Sequence, residues 1–125
     1  MKTILIATDF SHAGRNATQY GFEFAKTIEA KVILFNAFQF PSAHPESLVY
    51  YPVDELEKFS YRQLAIEAET IDPSCKVAYE TQSSLGPVMD SILAVANENN
   101  VSFIIAGMKG HGKEIRKFLE VRLRS

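Results

Sequence analysis

Two short stretches carry residue types that could recognise an anion or a nucleotide. The first is Ala7-Thr8-Asp9-Phe10-Ser11, where a carboxylate follows an apolar run directly. Asp9 has two readings. It can support the helix that Ser11 opens, because a carboxylate near a helix N-terminus is favourable. It can also accept hydrogen bonds from a base or ribose, or serve a metal-bound phosphate. The second stretch is Gly107-Met108-Lys109-Gly110-His111-Gly112, with three glycines in six residues after another apolar run. Glycine permits positive φ and lets backbone N–H groups close on an anion. Lys109, Lys113 and Arg116 add positive charge. A plain glycine turn with solvated lysines is the alternative. His111 reads as a loop residue, not a base, since no acid lies near it in sequence. Ala37, at the end of a third apolar run, is small enough to let a flat ring approach the backbone.

Several other chemistries are excluded by pattern. There is no G-x-x-x-x-G-K-[ST], and no G-x-G-x-x-G follows the first apolar run. Asp9 stands without the second acid of a phospho-accepting receiver. No Cys or His cluster has metal-ligand spacing, and no serine lies in a nucleophile elbow.

The elements that must position these stretches follow from hydrophobic patterning. Apolar runs occur at Thr3–Thr8, Lys31–Phe38, Cys75–Thr81 and Val101–Gly107. Three are nearly continuous, as in strands buried on both faces of a parallel sheet, and the third alternates, as nearer an edge. Between them Ser11 can cap a helix carrying Ala17, Tyr20, Phe24 and Ile28 on one side. Pro52 and Pro87 suit the first turns of two more helices. Ile115, Phe118, Leu119 and Leu123 suggest a fourth. Strands alternating with helices predict a single domain over residues 1–125, an α/β doubly wound parallel sheet with right-handed crossovers and strand order 3-2-1-4. Its ligand would lie at the carboxyl ends of the strands, where Gln39 to Tyr51 forms one long loop.

Bulk properties bound the partners. The chain has 125 residues and a net charge of −2, which does not favour nucleic acid or an acidic membrane. Cys75 is the single cysteine, so no internal disulfide can form. A neutral thiol buried at a strand start and a reducing cytoplasm fit that count. The N-terminus lacks the apolar length of a signal peptide, and no stretch approaches a membrane span.

Taken together, "ILIATDFS", "VILFNAF" and "SSLGPVMDSILAVANENNVSFIIAGMKGHG" resemble the universal stress protein family over nearly the whole chain. The resemblance implies five parallel strands, usually a homodimer, and a role in stress survival; a non-catalytic domain is the expectation. One branch of that family binds ATP through G-x2-G-x9-G-[ST], any Mg or Mn being held through the phosphates. Ala7, Thr8 and Asp9 match the positions beside the adenosine, and Ala37 matches the small position whose backbone meets adenine. Gly107 and Gly110 match the first two glycines, around Met108, and the loop continues through His111 and Gly112. The chain then departs from the pattern. Glu120-Val121 stands where Gly-Ser/Thr is due, and a carboxylate there would repel phosphate. The usual parallel fifth strand is missing from the pattern, and two readings of the tail stand side by side. It is a frame-shifted family ending that leaves the fourth strand with an open edge, or an amphipathic helix of a short variant. The functional expectation is a nucleotide-sensing module. The alternatives are the same fold acting through protein contacts without nucleotide, and a slow ATP hydrolase, for which no base or arginine finger is evident.

Overall fold

In the computed structural model, residues 1–39, 52–109 and 116–122 are described. β1 (Thr3–Thr8) is buried at every position after its first residue, as a strand covered on both faces must be. It lies at the centre of a sheet of order β3-β2-β1-β4-β5. β2 (Lys31–Phe38) and β4 (Phe103–Lys109) flank it in parallel, and β3 (Tyr79–Leu85) pairs in parallel with β2. The predicted parallel order 3-2-1-4 is therefore present.

Alternation along the strands divides the core into two layers. Ile4, Ile6, Val32, Leu34 and Ile105 face α1 (His12–Ile28) and α2 (Val53–Ile71), where Phe22 and Leu64 fill the space. Leu5, Ala7, Ile33, Phe35, Ile104 and Ala106 face α3 (Val88–Glu98), which contributes Ile92, Val95 and Ala96. Ser11 caps α1, its Oγ accepting the Gly14 N–H at 3.1 Å. Pro52 and Pro87 are the N-cap residues of α2 and α3. They stand just before the first turn, where a missing N–H removes no helical bond.

The buried stripe of α1 includes Ala13, Gly14, Ala17, Gly21 and Ala25. These small residues let the helix axis lie close to the sheet. A Cβ added to Gly107 would strike the Ala13 carbonyl and come within 2.8 Å of Ala17 Cβ. Gly107 is thus required by the contact of β4 with α1, whatever it does for a ligand.

Three expectations need correction. The third strand begins at Tyr79, not at Cys75. Residues before it form a turn in which the Val77 N–H donates to Asp72 Oδ2 at 3.0 Å and Val77 is buried. Cys75 is exposed with φ 50°, so it is neither in a strand nor buried. The true β3 extends through polar Gln82, Ser83 and Ser84, none of them fully buried, which hides it from an apolar-run reading. The segment expected as a fourth helix is β5 (Arg116–Arg122), antiparallel to β4 in the register Gly107↔Phe118. β5 begins seven positions after β4 ends, and strands so near in sequence can pair only in antiparallel fashion, since a parallel return needs a crossover of a dozen residues or more. β4 consequently has no open edge, and a seven-residue segment gains more from ladder hydrogen bonds than from a marginal helix. The long loop beyond Gln39, including His44, lies outside the described residues.

Candidate functional site

The β1–α1 turn lies at the carboxyl ends of the strands and is held by several hydrogen bonds. Phe10 adopts φ 67°, a left-handed conformation costly for an aromatic residue. Hydrogen bonds hold it there. Its N–H donates to Thr8 Oγ1 at 3.1 Å, and its carbonyl accepts from Arg15 Nη1 at 2.8 Å. Asp9 sits at the apex. Its Oδ1 accepts the Ser11 N–H at 3.0 Å and also bonds the Ser11 hydroxyl. Its Oδ2 accepts the Lys109 N–H at 2.8 Å. The carboxylate thereby ties the ends of β1 and β4 to the start of α1, so the capping reading of Asp9 holds in an extended form.

A cavity of about 640 Å³ opens beside this turn. Ala7, Thr8 and Asp9 form one side, Ala37 and Gln39 another, and Gly107, Met108 and Lys109 a third. The first turn of α3, with Pro87, Val88, Met89 and Asp90, closes the remaining side, and Ile92 also lines the space. Six of the nine positions singled out from sequence therefore converge. Gly110, His111 and Gly112 lie outside the described residues. Ala7 and Ala37 lie on the α3 face of adjacent strands β1 and β2, and their small side chains leave room for a flat ring. The volume falls within the range of small-molecule sites, roughly 300–1,000 Å³. The unfilled first-turn N–H groups of α3 and their positive dipole end favour negative charge nearby, offset by Asp90 in the same turn.

Thr8 has contacts on both faces of the sheet. It lines the cavity, but its hydroxyl turns to the α1–α2 side of the sheet, where it donates to Glu67 Oε1 at 3.3 Å. The Thr8 carbonyl accepts from Asn36 Nδ2 at 2.8 Å, and Asn36 Oδ1 accepts from Ser60 Oγ at 2.8 Å. Ser83 Oγ bonds Ser60 Oγ at 2.6 Å. A row of polar residues on β1, β2 and β3 thus meets polar residues of α2 beneath the cavity. Burial raises the Glu67 carboxyl above the usual carboxylate range, opposed by hydrogen bonds from Thr18 and Thr8 and by the Arg15 charge.

The α3 wall was missed from sequence. Its signal was Gly86-Pro87 after a strand, because a βα turn in such a sheet must lie at the carboxyl edge. Glu67 gave no signal, since it reads as one more acid on an amphipathic helix. Among the described residues no cluster of His, Cys, Asp or Glu could hold a metal, and no helix is long and apolar enough to cross a membrane.

Comparison with known proteins agrees with this fold. The model of the universal stress protein family matches residues 1–120. No curated protein sequence matches the chain. Among solved structures, the universal stress protein UspA from Lactobacillus plantarum is 19% identical, with a TM-score of 0.70, covering 90% of this chain and 80% of that one. A universal stress protein in complex with cAMP is 19% identical, TM-score 0.62, covering 81% and 72%. A family protein from Arabidopsis thaliana with AMP bound is 15% identical, TM-score 0.58, covering 91% and 81%. Such identities establish a shared fold. With the family model spanning nearly the whole sequence, the chain belongs to the universal stress protein family.

Proposed function

We propose that this domain is a non-catalytic adenine-nucleotide-binding module acting in the stress response. The observation that carries the reading is the cavity at the carboxyl ends of β1, β2 and β4, with Ala7, Ala37 and Asp9 around one space. A purine fits between the small side chains, and Asp9 retains lone pairs for a base or ribose hydroxyl. Phosphates would lie toward Gly107, Met108 and the loop of Gly110, His111 and Gly112, with a divalent cation entering through them. The cAMP and AMP held by two structural neighbours support the same ligand class. Calorimetric titration with AMP, cAMP and ATP tests it, and no binding of any of the three at millimolar concentration would overturn it.

A second reading has its own observation. Both Asp9 oxygens already accept hydrogen bonds from the protein. An Asp9 that serves structure alone fits a domain acting through protein contacts, including self-association along an outer strand such as β5. Sedimentation with and without nucleotide separates the two.

A further inference from the structure

The buried residues that the nucleotide reading leaves unused centre on Glu67, on the opposite face of the sheet from the cavity. Glu67 is 6% exposed, and it lies at the inner side of a crevice of about 470 Å³ between α1 and α2. Its carboxyl group meets two threonines. Thr8 donates to Oε1, and Thr18 Oγ1 lies 2.7 Å from Oε2. Thr8 Oγ1 in turn receives the Phe10 N–H. Phe10 adjoins Asp9, whose carboxylate receives Ser11 and Lys109. Two hydrogen bonds therefore lead from α2 to the Phe10 amide, and the peptide link of Phe10 to Asp9 carries the connection on to the cavity.

We infer that Glu67 is a positioning residue that fixes Asp9 in the cavity from across the sheet, through the Thr8 hydroxyl. Thr8 can hold the strained Phe10 amide only while its own oxygen is aimed by an acceptor on its far side, and Glu67 is that acceptor. No apolar residue at position 67 could orient the hydroxyl. Space is tight as well: a Cβ added to Gly14 would strike Thr8 Oγ1 and lie 2.9 Å from Asp9 Oδ1. Thr8 and Asp9 are thus packed as one unit against the start of α1.

The Thr18 contact specifies the form of Glu67 that fits. Thr18 Oγ1 also lies 3.1 Å from the Gly14 carbonyl, and a hydroxyl has one proton to give. With Glu67 ionised, Thr18 donates to Oε2 and gives up its bond to Gly14; with Glu67 protonated, Glu67 donates to Thr18 and Thr18 to Gly14, so both contacts are kept. The acceptor for Thr8 is then the other oxygen, Oε1. Glutamine reproduces this pattern, with Nε2 donating to Thr18 and Oε1 accepting from Thr8. Arg15 and His12 of α1 line the same crevice, and the charges of Arg15 and Asp9 act on the carboxyl group.

The test compares Glu67→Gln, Glu67→Ala and Thr8→Val in the full chain. The readouts are amide hydrogen exchange at Phe10, Ser11 and Lys109 and the affinity for AMP. Loss of one buried hydrogen bond predicts exchange faster by about threefold to tenfold at all three amides in Glu67→Ala and Thr8→Val. Glu67→Gln should keep wild-type exchange. AMP affinity, which rests on the proposed function, should follow the same order. Unaltered exchange in Glu67→Ala and Thr8→Val, or equal acceleration in Glu67→Gln, would overturn the inference. If the wild type binds no AMP, the nucleotide reading fails while exchange still decides the role of Glu67. Should Glu67→Ala fail to fold, Thr8→Val and Glu67→Gln carry the same comparison.

Discussion

The Lys109 N–H donates to Asp9 Oδ2 at 2.8 Å, joining the last residue of β4 to the turn that follows β1. The two residues are 100 positions apart, and their strands are neighbours in the sheet. One carboxylate thereby sets the width of the cavity between the β1–α1 turn and the segment leaving β4.

Replacing that carboxylate separates its structural role from the binding role proposed for it. Asp9→Ala should cost about 1–2 kcal/mol of stability, the range for losing a capping acceptor and an exposed hydrogen bond. AMP affinity should fall by at least about tenfold, equivalent to about 1.4 kcal/mol. Urea unfolding and calorimetry measure the two effects. Wild-type affinity in the variant would remove Asp9 from the binding site.

Gly107 tests packing independently of any ligand. Its φ lies outside the left-handed region, so the difficulty for a side chain is steric. Gly107→Ala should destabilise by about 1–3 kcal/mol, because Ala13 backbone and Ala17 on α1 cannot withdraw without moving the helix. Gly21→Ala meets the side chain of Ile6, which can change rotamer, and should cost less. Thermal unfolding of both variants checks the order.

Glu67 predicts a pH dependence of stability. Its carboxyl group is held above the ordinary value of 4.5, chiefly by burial. The folded chain therefore binds this proton more tightly than the unfolded chain. The resulting stabilisation is complete below that ordinary value and is lost as pH rises through the raised one. Glu67→Gln carries no such proton, so its stability relative to wild type should increase as pH rises through the same window. Urea unfolding of both proteins across that interval measures the difference, and parallel curves would exclude Glu67 as the source.

Asn36 holds the end of β1 from the neighbouring strand. It is buried, donates to the Thr8 carbonyl and accepts from Ser60. Asn36→Ala leaves that buried carbonyl without its side-chain donor and should destabilise by about 1–3 kcal/mol. Exchange at Phe10 should quicken in the same variant, since both hydrogen-bonding groups of Thr8 support the turn.

Hydrophobic patterning was enough for the parallel sheet and its order, because runs such as Ile4 to Ala7 and Val32 to Phe35 can be buried only between two helical layers. The sequence also determined the cap at Ser11, the helix starts after Pro52 and Pro87, and the convergence of Ala7, Asp9, Ala37 and Gly107, since βα turns of one sheet share one edge. Tertiary structure decided the rest. The strand Tyr79–Leu85 forms because β2 offers it a ladder, and the apolar run reaches only its first three residues, not its polar half. Arg116–Arg122 becomes a strand because the exposed edge of β4 lies within reach of a short connection. Thr8 and Glu67 are separated by 59 positions, and their hydrogen bond exists only because α2, packed against β2, β3 and α1, brings Glu67 to the end of β1. Local pattern encodes burial and backbone preference, whereas the partner of a buried polar group depends on how distant elements pack.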